Sequence, residues 1–139
     1  MVVNMSLLFE AKMSDDALRG MSSLGLAHIG DVVYELLART KVCAEGRTTH
    51  GGLHKATVAL VSASAQFAAT KRLLPTLTEA ERDVYNRGRN THVSKPRGAS
   101  YEEYHAATAL ESLFGWLYLR GENERVLELF AVCTGVDDD

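Results

Sequence analysis

Residues 26–39 read LAHIGDVVYELLAR, an apolar helix with an acid set into it. Ile29, Val32, Val33, Leu36 and Leu37 recur at helical spacing and predict a buried stripe. His28, Asp31, Glu35 and Arg39 recur at steps of three and four and predict the opposite face. Gly30 stands directly before Asp31. A glycine inside a helix costs about 1 kcal/mol against alanine, and its usual reason is close approach by another backbone or by a ligand. Two readings of Asp31 are open at this level. It caps a helix that starts at Val32, with Gly30 in a turn, or it is a metal-binding carboxylate.

The surrounding chain narrows the class. Its 139 residues suit one domain, with residues 1–20 and 134–139 expected to be partly mobile, and 46% hydrophobic residues supply a core. Two prolines and plentiful alanine, leucine and glutamate favour helix. A net charge of −3 excludes a generally basic nucleic-acid binder, so contact with a polyanion requires a local patch. Cys43 and Cys133 form no CxxC pair and no disulfide framework. The start carries Glu10 and Asp15 and no basic leader. No apolar run approaches the ~20 residues that cross a bilayer. The expectation is a cytoplasmic protein with no membrane partner.

In chain order, Ser14, Asp15 and Asp16 predict a short helix ending at Gly20. The organising helix follows, from about Leu24 to Thr40. Residues 53–74, LHKATVALVSASAQFAATKRLL, predict one long helix stopped by Pro75. Thr78 with Glu81 is a capping box for a helix from Glu79 to about Gly88. Residues 85–98, YNRGRNTHVSKPRG, hold Arg87, Arg89, Lys95 and Arg97, and no acid lies between Asp83 and Glu102. Ser100 with Glu103 is a second capping box, opening a long helix that ends at Gly121. Ala107, Leu110, Leu113, Phe114 and Leu117 predict its buried stripe, with Thr108, Glu111, Gly115 and Tyr118 on the other face. A last helix runs from about Asn123 to Cys133. No strand is expected, and no zinc site among the histidines.

Two helices thus carry a lone acid on an apolar or small-residue surface, Asp31 and Glu111. Packed together, both carboxylates can share one hard divalent cation, for which carboxylate oxygen suits Mg²⁺. Such an ion generates hydroxide and offsets charge on a phosphoryl transition state.

GDVVYE, GLHKATVALVSASAQ (residues 52–66), YNRGRN and TALESLFGWLYL (residues 108–119) occur in the order of four motifs of the ribonuclease III superfamily. The chain resembles most its short bacterial branch, which lacks a double-stranded-RNA-binding domain. The resemblance covers roughly residues 24–130. It implies an all-α, ribonuclease III endonuclease-like bundle working as a homodimer. It implies Mg²⁺-dependent hydrolysis of double-stranded RNA, with Mn²⁺ as a substitute ion, leaving 5′-phosphate and 3′-hydroxyl ends. For the short branch it implies maturation of large-subunit (23S) ribosomal RNA precursor, with a ribosomal protein or pre-ribosome as a candidate partner. Asp31 matches the catalytic aspartate and metal ligand, and Glu111 the metal-binding glutamate. Full-length members carry further acids where this chain has Ala27 and Thr108, a reduction the short branch shares.

Glu35, one turn after Asp31, is a candidate orienter of the site, with an ion pair to Arg39 as the competing reading. Thr108 holds the same place beside Glu111. Candidate RNA-binding side chains are Lys55, Arg87, Arg89, Asn90, Lys95 and Arg97. A C2 dimer matches the local dyads of duplex RNA, and A-form RNA offers phosphates and 2′-hydroxyls rather than base edges. Binding is then expected to follow shape and to weaken with salt. The alternatives are a catalytically silent RNA- or ribosome-binding module, against which the two retained acids argue, and a helical nucleotide pyrophosphohydrolase, for which the remaining acids are too scattered.

Overall fold

The computed structural model describes residues 12–91 and 100–135, and over these the chain is helical with no strand. Seven α-helices follow one another: α1 (Asp15–Arg19), α2 (Ser23–Ala44), α3 (His50–Val61), α4 (Ala63–Leu73), α5 (Glu79–Arg89), α6 (Tyr101–Leu119) and α7 (Asn123–Cys133). A 3₁₀ turn, Leu74–Thr76, carries Pro75 between α4 and α5. The helix starts are where short polar side chains accept backbone N–H groups. Ser22 accepts from Gly25 N at 3.0 Å. The boxes Thr78/Glu81 and Ser100/Glu103 are both complete. α2 is one turn longer than expected at its C-terminal end and stops before Gly46, whose φ of +90° suits glycine.

The single helix expected over 53–74 is two helices. Ser62 is extended (φ −60°, ψ 155°); its N–H donates to Val58 O, ending α3, while its Oγ accepts from Ala65 N, starting α4. One serine thus satisfies both broken ends, and the apolar residues on either side belong to two helix axes.

The core is built around α6. Leu110, Leu113, Phe114 and Leu117 are fully buried, in one cluster with Tyr34 and Ala38 of α2, Ala69 and Leu73 of α4, and Leu129 of α7. Each such leucine contributes roughly 1.5–3 kcal/mol of burial. Tyr34 meets Phe114 and Phe130 edge-on, at centroid distances of 5.0 and 5.3 Å. Thr108 and Gly115, expected on an open face of α6, are buried as well.

The buried side of α2 also differs from the expected stripe. Val32 and Leu36 are 58% and 56% exposed, whereas Leu26, Ala27, Gly30, Val33, Tyr34, Ala38 and Val42 face inward. This helix is apolar around much of its circumference, so periodicity defines its rotation weakly. The rotation is set instead by the crossing at Gly30.

Candidate active site

α2 and α6 cross in backbone contact. A Cβ on Gly30 would lie 1.7 Å from the Glu111 carbonyl oxygen and 2.8 Å from Gly115 N. A Cβ on Gly115 would lie 2.0 Å from Leu26 O. Only two glycines allow this approach, which is the reason for Gly30 and excludes the reading of Asp31 as a cap. Asp31 sits inside a continuous helix that starts at Ser23.

The crossing brings the two acids together. Gly30 rests on the backbone of Glu111, so its neighbour Asp31 projects beside the Glu111 side chain. The two carboxyls lie close enough for Asp31 to act directly on Glu111. Glu111 is half-buried and Asp31 exposed, so the pair opens to solvent on the α2 side. The Glu111 carboxyl is pushed up to about 8, first by burial and then by the bond to Asp31 and its charge. Glu35 adds to the same effect, while a bond from Gln66 opposes it. Gln66, on α4, is buried. It closes the motif at residues 52–66, and a buried amide in an alanine-rich helix was the available signal for a role that the sequence alone left unassigned.

Glu35 accepts two bonds from Arg39, at 2.8 and 3.1 Å, so its carboxylate is engaged along α2 while its charge still reaches Glu111. The Thr108 hydroxyl donates to Tyr104 O at 3.0 Å, within its own helix. Lys55 is exposed on α3 and makes no ion pair among the described residues. Asn90 caps the C-terminal end of α5 through its N–H to Asn86 O. Lys95 and Arg97 lie outside the described residues.

The geometry splits Arg87 from Arg89. Gly88 between them is pressed onto α6, where a Cβ would lie 2.9 Å from Ala109 Cα. Arg87 lines a groove with Asp15, Arg19, Asp83, Trp116 and Arg120. Arg89 lines a different one with Lys71 and Arg82. His50 and His54 stand four apart on α3 and share a cavity with Cys43. Yet among the described residues no group of three or more His, Cys, Asp or Glu side chains is placed to hold a metal ion. The acids at the crossing therefore stand as a pair, with no third such side chain gathered on them among the described residues.

A helical frame in which a glycine–glycine crossing presses an aspartate against a glutamate is that of a ribonuclease III catalytic domain. The ribonuclease III domain family matches residues 24–122. Mini-ribonuclease 3 of Thermoanaerobacter sp. (strain X514) is 38% identical over 128 residues, covering 91% of this chain and 90% of that protein. Mini-ribonuclease 3 of Symbiobacterium thermophilum is 41% identical over 76% of this chain and 82% of its own. A crystal structure of a protein from Fusobacterium nucleatum superposes with a TM-score of 0.79 at 30% identity, covering 88% of this chain and 98% of that one. The chain belongs to the ribonuclease III family of endoribonucleases, in its Mini-ribonuclease 3 branch. That family acts on double-stranded RNA, is generally divalent-metal dependent and typically forms dimers. Among the described residues no helix is long and apolar enough to cross a membrane.

Proposed function

We propose that this chain is a homodimeric, divalent-metal-dependent hydrolase of double-stranded RNA that acts in the cytoplasm. It leaves 5′-phosphate and 3′-hydroxyl ends, and its substrate is the paired ends of large-subunit ribosomal RNA precursor. One observation carries the reading: the contact between Asp31 and Glu111 at the α2–α6 crossing.

The donor set fits a hard cation. Ionising a second carboxyl beside the first is unfavourable, and a positive charge between them relieves it. The chain supplies an uncharged amide, Gln66, rather than a guanidinium. The proton retained on Glu111 is what a bound cation would displace. Mg²⁺ commonly accepts one or two protein carboxylates and completes its shell with water and substrate phosphate, so Asp31 and Glu111 would hold it, with Mn²⁺ as a substitute. Held by them, such an ion would supply an activated water and a positive charge against the phosphoryl group. The remaining work belongs to the chain. Gln66 orients the Glu111 carboxyl, and the Gly30–Gly115 contact keeps the two acids in register. Asp31, the exposed member, faces the substrate.

The test is cleavage of a duplex RNA in Mg²⁺, in Mn²⁺ and in EDTA, by the wild-type chain and by Asp31→Asn. The substitution removes one anionic oxygen at nearly constant volume. Cleavage is expected to fall by more than ~10²-fold, the scale on which even the outer partners of a metal site act, with duplex binding within about threefold. Full activity in Asp31→Asn removes the catalytic assignment. A wild-type chain that binds duplex but cuts it with no divalent ion is a silent binding module. Mapping the ends released from a large-subunit precursor tests the substrate: staggered cuts on both strands of the terminal stem are expected.

A further inference from the structure

We infer that the groove between α4 and α5 is a second contact surface for the RNA backbone, held by Lys71, Arg82 and Arg89. The inference rests on the duplex-RNA reading above and extends it to residues outside the acid pair.

The groove encloses about 380 Å³. α4 contributes Phe67, Thr70 and Lys71, and α5 contributes Arg82, Tyr85, Asn86 and Arg89. Glu102 is the one acid on its rim. In a chain of net charge −3 this is a local excess of cations. None of the three is in an ion pair among the described residues, whereas Arg19, Arg39, Arg120 and Arg125 all are. Lys71 and Arg82 are also held in place. The Lys71 ammonium rests 4.8 Å from the centre of the Phe67 ring. Arg82 donates to Leu74 O at 2.7 Å, leaving other guanidinium donors unused. Arg89 occupies the last turn of α5, where the helix dipole favours a cation.

The neighbouring groove shows what a structural set of cations looks like. There Arg120 is bonded to Asp15 and Glu122, and Arg19 to Asp16, so that two of its three arginines are neutralised and Arg87 alone is in no ion pair among the described residues. The α4–α5 groove lacks such internal neutralisation. Oriented, uncompensated cations from two helices suit a run of phosphodiesters. The same helix carries Gln66, which acts on Glu111 from its buried side, while Lys71, five residues later, lies roughly 7.5 Å along the axis and about 140° around it on the exposed side.

The test measures binding of a fluorescent 30-base-pair RNA to full-length protein carrying Asp31→Asn, across a KCl series. Lys71→Gln and Arg89→Gln are each expected to weaken binding three- to tenfold and to lower the salt slope by about 1. Arg47→Gln, on a surface loop, serves as the reference, and thermal melts confirm folding of each variant. Unchanged slopes for Lys71→Gln and Arg89→Gln, with binding retained, overturn the inference. So does displacement of the duplex by ATP or pyrophosphate at micromolar concentration in a manner lost in Arg89→Gln, which makes the groove a nucleotide site. Failure of the underlying reading is seen separately, as a wild-type chain that neither binds nor cuts duplex RNA in Mg²⁺.

Discussion

Glu81 and Glu111 are both carboxylates drawn into helix packing, and the chain treats them in opposite ways. Burial by itself pushes Glu81 up. The Arg125 guanidinium, bonded to both its oxygens at 2.9 Å, and the Thr78 N–H more than offset that, holding it below the usual carboxylate range. Glu111 has no such partner. Burial and the adjacent Asp31 push it up to about 8, against the weaker pull of Gln66. The first acid is completed inside the molecule and ties α5 to α7. The second is short of one positive charge, which is what the cation proposed above would supply.

The largest expected effect separates the two acids by readout. Glu111→Gln is expected to reduce duplex cleavage more than ~10²-fold, while the thermal midpoint of the metal-free protein is unchanged or raised, because an unfavourable buried acid is gone. A clear loss of stability in that variant would show that Glu111, like Glu81, is structural. Glu81→Gln should do the reverse. Activity per folded molecule stays within about twofold, and urea denaturation shows a loss of about 2–3 kcal/mol, somewhat below the range for fully buried pairs because Arg125 is partly exposed.

Gly30→Ala tests what holds the acid pair together. Its Cβ would overlap the Glu111 carbonyl, so the crossing must open. A loss of ~3 kcal/mol or more is expected, with activity falling even where folding is rescued by low temperature. Gly51, with nothing within 4 Å of its added Cβ, is the matched control; its alanine variant should change stability by less than about 1 kcal/mol.

A last test separates the two acids by the sign of their pH dependence. Glu81 has a lowered folded pKa, so its contribution is present above the unfolded value and is lost as pH falls through the folded one. Glu111 has a raised folded pKa, so the metal-free protein binds more protons than the unfolded chain between the two values. Its stability therefore declines as pH rises from about 4.5 to about 8. Urea titrations at pH 5, 7 and 9 should show this decline in the wild type and its absence in Glu111→Gln. An identical decline in both would place the responsible proton elsewhere.

Much of the architecture is local chemistry. Thr78/Glu81 and Ser100/Glu103 mark two helix starts, Ser14 another, and Pro75 a stop, because each signal lies within four residues of the backbone group it satisfies. Asp31 and Glu111 stood out as acids on apolar helices, and the order of the four motifs gave them a role. Gly30 announced a close approach without naming what approaches. The break at Ser62 was not legible, because serine in an alanine-rich run suits a helix interior about as well as a cap, and the choice depends on where α3 and α4 must pack.

The amino-acid order, then, determined most of the helices, the caps at Ser14, Thr78 and Ser100, and the identity of the two acids, since these depend on contacts a few residues apart. Tertiary structure alone decided that Val32 and Leu36 face outward and that Gln66 reaches Glu111. It also decided that Arg87 and Arg89 part around Gly88 into separate grooves. The physical reason is common to all three: each depends on how a helix is rotated about its axis, and that rotation is set by which backbones touch across 80 residues of chain, as Gly30 does with Glu111, rather than by the pattern along any one helix.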